Sequence, residues 1–264
     1  MKKDLTISIV NYNMKNSMLL CLKSIYANID GLDVDVYVVD NNSADGSVDA
    51  IKREYPNVHL IANSDNRGFA RANNQVLRVA DSGYYLILNP DVTIFPGTLK
   101  SMMAFMENTP DAGMAGCKVL NSDGTLQYSC RRYPNIITII WRALLLDLFF
   151  RNNRIINTYL MKDWGHDKVM PVNWLTGCCL MIRKETIDDV GLMSEKYFLY
   201  FEDADLCYRV NERWKVYYLP DIHIVHEFQH RSRKFGHLWH TLHHIKSAYH
   251  FFSTYGIAPK NGRR

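Results

Sequence analysis

Over the first 120 residues, short β-branched runs alternate with stretches of helical periodicity, and that alternation leaves few ways to fold. Strands and helices in this order close onto one core as a mostly parallel sheet with helices on both faces, so the class is α/β. Strands are expected near Thr6–Val10, Val34–Val39, Val58–Ile61, Tyr84–Leu88 and Gly113–Val119. Helices are expected near Ser17–Ala27, Ser47–Glu54, Gly68–Val79 and Pro96–Glu107, with Pro96 opening its helix where a missing N–H costs nothing. A chain of 264 residues buries about three quarters of its unfolded surface, enough to hold a core without disulfide or structural metal.

Thirty-one Lys and Arg against 27 Asp and Glu leave a formal charge of +4. That is too mild for nucleic acid as the main partner, but it suits a phosphorylated ligand or an anionic membrane surface. Six cysteines without a Cys-x-x-Cys pair, behind no secretory signal, fit a reduced cytoplasm. The run Ile136–Phe150 is almost wholly apolar, broken by Thr138, Arg142 and Asp147. As a helix its 15 residues reach about 22 Å, short of the roughly 30 Å hydrocarbon core of a bilayer. Two readings fit it: a buried core helix, or a monotopic membrane contact helped by Arg151 and Arg154.

In open α/β sheets ligands sit outside the carboxyl ends of the strands, and here those ends are polar. They read Asn11-Tyr12-Asn13, Asp40-Asn41-Asn42-Ser43, Asn66-Arg67-Gly68-Phe69 and Asn89-Pro90-Asp91. The first turn lacks Gly-x-Gly-x-x-Gly, which disfavours a dinucleotide and hence a dehydrogenase. An acidic residue beside amide side chains can instead accept from a base imide, and a second carboxylate can hold a hard cation on a diphosphate, which describes a nucleotide-sugar site. Residues 40–47 also read as ordinary turn chemistry with a helix cap.

These segments, with Leu175-Thr176-Gly177-Cys178-Cys179-Leu180 and Tyr200-Phe201-Glu202-Asp203-Ala204-Asp205, resemble glycosyltransferase family 2, inverting enzymes of GT-A fold, and most closely its rhamnosyltransferase-like members. Asn89 stands where the commoner Asp-x-Asp motif has its first carboxylate. The resemblance implies that Tyr12 and Asp40 contact the base, that Asn11, Asn13, Asn42, Asn66, Gly68, Phe69 and Asn89 line the nucleotide-sugar pocket, and that Thr176 and Gly177 lie near the sugar. It implies Mg²⁺ or Mn²⁺ as cofactor, held by Asp91 and His226, and Asp203 as catalytic base with Glu202 in support. An inverting transfer needs such a carboxylate to take the proton of the attacking hydroxyl. Asp203 and Asp205 also read as a helix cap that complements the dipole.

Eight of ten histidines lie between His223 and His250. From Leu238 onward, Leu238, Leu242, Ile245, Tyr249 and Phe252 form one helical stripe, expected to pack on the catalytic core or on a bilayer. His240 and His244 have metal-ligand spacing, but the Glu of a zincin pattern and a nearby Cys are missing. The His residues with Arg231, Arg233 and Lys234 would face an anionic acceptor or lipid headgroups.

The expected organisation is a catalytic domain over residues 1–222, with its nucleotide-sugar-binding half at 1–119 and its acceptor half at 120–222, then a helical extension at 223–264. The expected activity moves L-rhamnose from dTDP-rhamnose, or a hexose from a UDP-sugar, to a polyprenyl-diphosphate-linked glycan of a bacterial surface polysaccharide. The enzyme would work peripherally at the cytoplasmic membrane surface. A non-catalytic nucleotide-sugar-binding subunit and a membrane scaffold are the competing classes.

Overall fold

A computed structural model describes residues 3–29, 31–143, 153–227 and 237–259. Its centre is a mixed sheet whose strands are ordered β3 (His59–Ala62), β2 (Val34–Asp40), β1 (Lys3–Asn11), β4 (Ser82–Leu88), β11 (Cys179–Arg183), β6 (Ala112–Leu120), β12 (Lys215–His226) and β5 (Val92–Thr93). Two-residue strands β7 (Leu126–Gln127) and β9 (Met170–Pro171) pair with β6 and β12, and β8 (Cys130–Arg131) pairs with β10 (Trp174–Leu175) apart from the main sheet. β1 is parallel to β2 and β4, β2 to β3, and β6 to β12, while β11 runs antiparallel between β4 and β6. The carboxyl ends of β1, β2, β4, β6 and β12 therefore open on one edge, where β11 begins.

Side-chain alternation divides the core. Leu5, Ile7 and Ile9 of β1 with Leu86 and Leu88 of β4 face α1 (Lys15–Ala27) and α4 (Thr98–Asn108). On the other side Val10 and Val39 meet Ala72 and Val76 of α3 (Phe69–Leu77), and Ser8 donates to Asn73 of the same helix at 2.8 Å. α2 (Ser47–Glu54) follows β2 as expected. Pro96 does not open α4: with Gly97 at φ +78° it forms the centre of a turn in which Thr98 N–H bonds Phe95 C=O at 3.1 Å, and the helix starts at Thr98. A left-handed residue after the proline ends any helix there. All six cysteines are buried and free.

Ile139 of α5 (Ile136–Ala143) packs on the second core cluster, while Ile136 and Ile137 are exposed. The rest of the apolar run lies outside the described residues. α6 (Arg154–Tyr159), capped by the Asn153 side chain, and α7 (Lys184–Val190) precede α8 (Glu202–Val210). The longest of the described helices, α9 (His237–Tyr255), divides the expected stripe between core and surface. Ser247, Ala248, Phe251 and Phe252 are buried, whereas Leu242, Ile245 and Tyr249 are 57%, 52% and 75% exposed. His240 and His244 sit on the inner side, their imidazoles tilted or edge-on against the rings of Tyr200 and Phe201. The side chain of Leu238 and the residues Arg231, Arg233 and Lys234 lie outside the description. Tyr255 donates to Asp205 Oδ1 at 2.8 Å, tying α9 to α8. No described helix is long and apolar enough to cross a membrane.

Candidate active site

Asp91 and His226, 135 residues apart, meet because β5 folds back antiparallel along the end of β12, with His226 opposite Val92 and Glu227 N–H on Asp91 C=O. Asp91 Oδ1 lies 3.1 Å from His226 Nε2, and Asn89 Nδ2 lies 3.3 Å from the same nitrogen. His226 Nδ1–H donates to Gln127 Oε1 at 2.7 Å, which turns Nε2 towards Asp91. One carboxylate and one imidazole fit a Mn²⁺-type cation, which is completed by phosphate oxygens and water rather than caged by protein. No group of three or more His, Cys, Asp or Glu that could hold a metal ion occurs among the described residues.

Across the cleft stands α8. Tyr200 and Phe201, both at φ 70°, turn the chain so that Glu202 and Asp203 emerge in the first turn of the helix. The N-cap residue is Phe201, which offers no side-chain cap, and Asp203 stands within the first turn. Its Oδ2 accepts from Gly177 N–H at 2.9 Å and its Oδ1 from Ala204 N–H at 2.8 Å. Burial pushes the Asp203 carboxyl above the usual carboxylate range, opposed by those two amides, the nearby Trp174 indole and the Arg131 cation. The Trp174 N–H comes close enough to act on that charge, yet outside hydrogen-bond geometry. Burial, and then the charge of Asp203, hold Glu202 well above the range, and its Oε2 has no hydrogen-bond partner. The pair is therefore unequal: Glu202 holds its proton to higher pH than Asp203 does. Asp205 faces away, bound to Arg209 and to the hydroxyls of Tyr197 and Tyr255.

The remaining sequence candidates lie along the carboxyl ends of β1 and β2 and the loop before α3. Asp40 is fully buried, with Oδ1 accepting Ser43 N–H at 2.8 Å and Oδ2 accepting Asn11 Nδ2 at 2.7 Å. Asn11 is buried too, and Tyr12 and Asn42 are the exposed groups of this edge. Asn13 and Asn42 have φ of 53° and 65°, left-handed positions that Asn tolerates. Asn66 Oδ1 accepts from Gly68 N–H at 3.0 Å and from Asn41 Nδ2 at 3.2 Å, locking the two loops together. Gly68 has φ +77°, and a Cβ there would stand 2.4 Å from Phe198 O, so no other residue fits. That approach lets Phe69 N–H bond Phe198 C=O, joining the nucleotide half to the loop that leads into Asp203.

A cleft of about 990 Å³ unites Phe69, Asn89, Thr176, Gly177, Asp203 and His226, the volume of a sizeable ligand site. Asp91 stands behind His226; Asn11, Tyr12, Asn13, Asp40, Asn42, Asn66 and Gly68 lie outside the cleft lining. Gln127, Arg131 and Trp174 belong to the site but carried no sequence signal as single residues. The turn Asn121–Gly124 was the one pointer, since it folds β7 back on β6 and brings Gln127 opposite Val119.

Residues 6–191 match the family described as Glycosyl transferase family 2. Over 232 residues, 83% of this chain and 75% of the relative, the sequence is 30% identical to N-acetylglucosaminyl-diphospho-decaprenol L-rhamnosyltransferase of Mycobacterium tuberculosis. It is 26% identical to rhamnosyltransferase WbbL of Escherichia coli over 70% of each chain. A solved mannosyltransferase of Pyrobaculum calidifontis, in complex with GDP-Man and Mn²⁺, superposes with TM-score 0.65 at 19% identity, over all of this chain and 66% of that one. GalNAc-T7, solved with UDP, GalNAc and Mn²⁺, gives 0.64 at 12% identity over 86% of this chain and 44% of that one. With the mixed sheet, the edge described above and these matches, the chain belongs to glycosyltransferase family 2 and has the GT-A fold.

Proposed function

We propose that the protein transfers a sugar with inversion from a nucleoside-diphosphate carrier, L-rhamnose from dTDP-rhamnose, to a hydroxyl of a polyprenyl-diphosphate-linked saccharide during surface-glycan assembly. The observation that carries this reading is one cleft lined both by the amide-held Asp203 carboxylate and by His226, whose Nε2 meets Asp91. Asp203 takes the proton from the acceptor hydroxyl while that oxygen forms its bond to the anomeric carbon. The bond from that carbon to the phosphate oxygen breaks on the opposite face, and the nucleoside diphosphate leaves with the electron pair. Asp91 and His226 would hold Mn²⁺ or Mg²⁺, which when bound neutralises charge on the leaving diphosphate. Tyr12 reaches the base, backed by Asp40, Asn11 and the Ser43 turn. Rhamnose rests on the names of the two rhamnosyltransferases, and the lipid-diphosphate acceptor on the name of the mycobacterial one.

The outer face of α9, where Trp239, Leu242, Ile245 and Tyr249 are exposed, supports contact with a membrane surface, with exposed Ile136 and Ile137 beside the exposed Ile257. Calorimetric titration with dTDP, UDP, GDP and NAD, each with and without Mn²⁺, tests the donor reading. Metal-dependent binding of dTDP is the expected result, and folded protein that binds none of them overturns it.

A further inference from the structure

The cleft contains one arginine among its lining residues, and its bonding is unlike that of Arg183 and Arg209 elsewhere in the fold. Arg131 pairs across the small β8–β10 ladder with Trp174, and its guanidinium lies 5.3 Å from the Tyr159 ring centroid and 5.5 Å from that of Trp174. Arg183 and Arg209, by contrast, spend their N–H groups on backbone carbonyls, and Arg209 is paired with Asp205. Arg131 is in no ion pair among the described residues, and its Nη1 is buried with no hydrogen-bond partner. A half-buried cation held between aromatic faces keeps its orientation but leaves its charge unneutralised, which a fold tolerates where a ligand supplies the anion.

Which anion follows from the position. The donor's diphosphate is assigned above to the Asp91–His226 end. Arg131 instead lines the cleft beside Tyr159 and Trp174, and its field reaches Asp203, the group that meets the acceptor hydroxyl. We propose that Arg131, clamped by Tyr159 and Trp174, is the anion-recognition residue of the acceptor subsite and takes the diphosphate next to the acceptor sugar. The inference rests on the proposed transferase activity. Planar guanidinium matches phosphate oxygens in pairs, and the aromatic wall suits the sugar face between diphosphate and attacked hydroxyl.

The test compares two acceptors, an N-acetylglucosaminyl diphosphate alkyl ester and the neutral alkyl N-acetylglucosaminide, in the wild type, Arg131→Lys and Arg131→Gln. Rates are taken at alkaline pH, where Asp203 is ionised in every variant, and dTDP binding with Mn²⁺ is measured alongside. Loss of the charged contact is expected to lower kcat/KM for the diphosphate acceptor by about 100-fold in Arg131→Gln. The neutral acceptor changes by a few-fold only, Arg131→Lys falls between, and dTDP affinity is unchanged. Equal losses on both acceptors, or loss of dTDP binding in folded variant, overturn the assignment. A free alkyl diphosphate provides a check that needs no variant: competition with the acceptor supports the subsite, and competition with the donor alone overturns it. Wild-type turnover on neither acceptor, with nucleotide binding intact, overturns the acceptor class of the proposed function and this subsite with it.

Discussion

At the level of single residues, two adjacent carboxylates reach different states because their partners differ. Asp203 accepts two backbone N–H groups and Glu202 Oε2 accepts none, so Asp203 ionises at lower pH than Glu202. Asp203→Asn is expected to lower kcat by about 10²- to 10⁴-fold while dTDP affinity and melting temperature stay near wild type. In the wild type kcat/KM should rise with pH through a limb above the ordinary carboxylate range, because burial raises the Asp203 pKa. Glu202 gives the stability counterpart. Its folded pKa lies well above its unfolded one, so the native state holds the extra proton between the two. Stability therefore falls as pH climbs from the ordinary Glu range through the raised value. Glu202→Gln should flatten that fall and melt higher than wild type at the alkaline end. Thermal melts of the two proteins across pH decide it, and a wild-type minus variant difference that does not change with pH would refute the protonated Glu202.

At the level of the element, α9 shows how an ambiguous helix chooses its buried face. Its inner side is mostly aromatic and imidazole, tilted against Tyr200 and Phe201, and its more aliphatic side points outward. Phe251→Ala, which empties a fully buried site, is expected to cost about 3–5 kcal/mol of stability in denaturant unfolding. Replacing Leu242 and Ile245 together by Ser should leave the melting temperature within a few degrees and reduce binding to anionic vesicles at least several-fold. Sedimentation with vesicles reads this directly, and undiminished binding would remove α9 from the membrane surface.

For the whole molecule, the Asp91–His226 pair exists only because β5 crosses the end of β12 and β7 folds back on β6. Gln127 orients His226 through its bond to Nδ1–H, so Gln127→Leu should weaken dTDP-dependent Mn²⁺ binding by about 10-fold, and His226→Ala by more. Manganese titration followed by electron paramagnetic resonance, with and without dTDP, separates this from loss of nucleotide binding. An unchanged Mn²⁺ affinity in His226→Ala would take the imidazole out of the metal site.

The alternation of β-branched runs and helical periods, with Asn, Asp and Gly at the run ends, was enough to place β1, β2, β4 and β6, their helices and the polar edge, because propensity and turn chemistry act over a few residues. The segments around Asn11, Asp40, Asn66 and Asp91 stood out for the same local reason, whereas Thr176 and Glu202-Asp203 stood out by their resemblance to glycosyltransferase family 2. Tertiary structure decided what depends on partners far along the chain. It buried Asp40 behind Asn11 and Ser43, and made a Pro96-Gly97 turn where helix was expected. It turned the inner side of α9 towards Tyr200, and joined Asp91 to His226 under the hand of Gln127. Arg131 too became notable only once Trp174 and Tyr159 closed around it, since a guanidinium's neighbours, not its place in the sequence, determine whether its charge is spent.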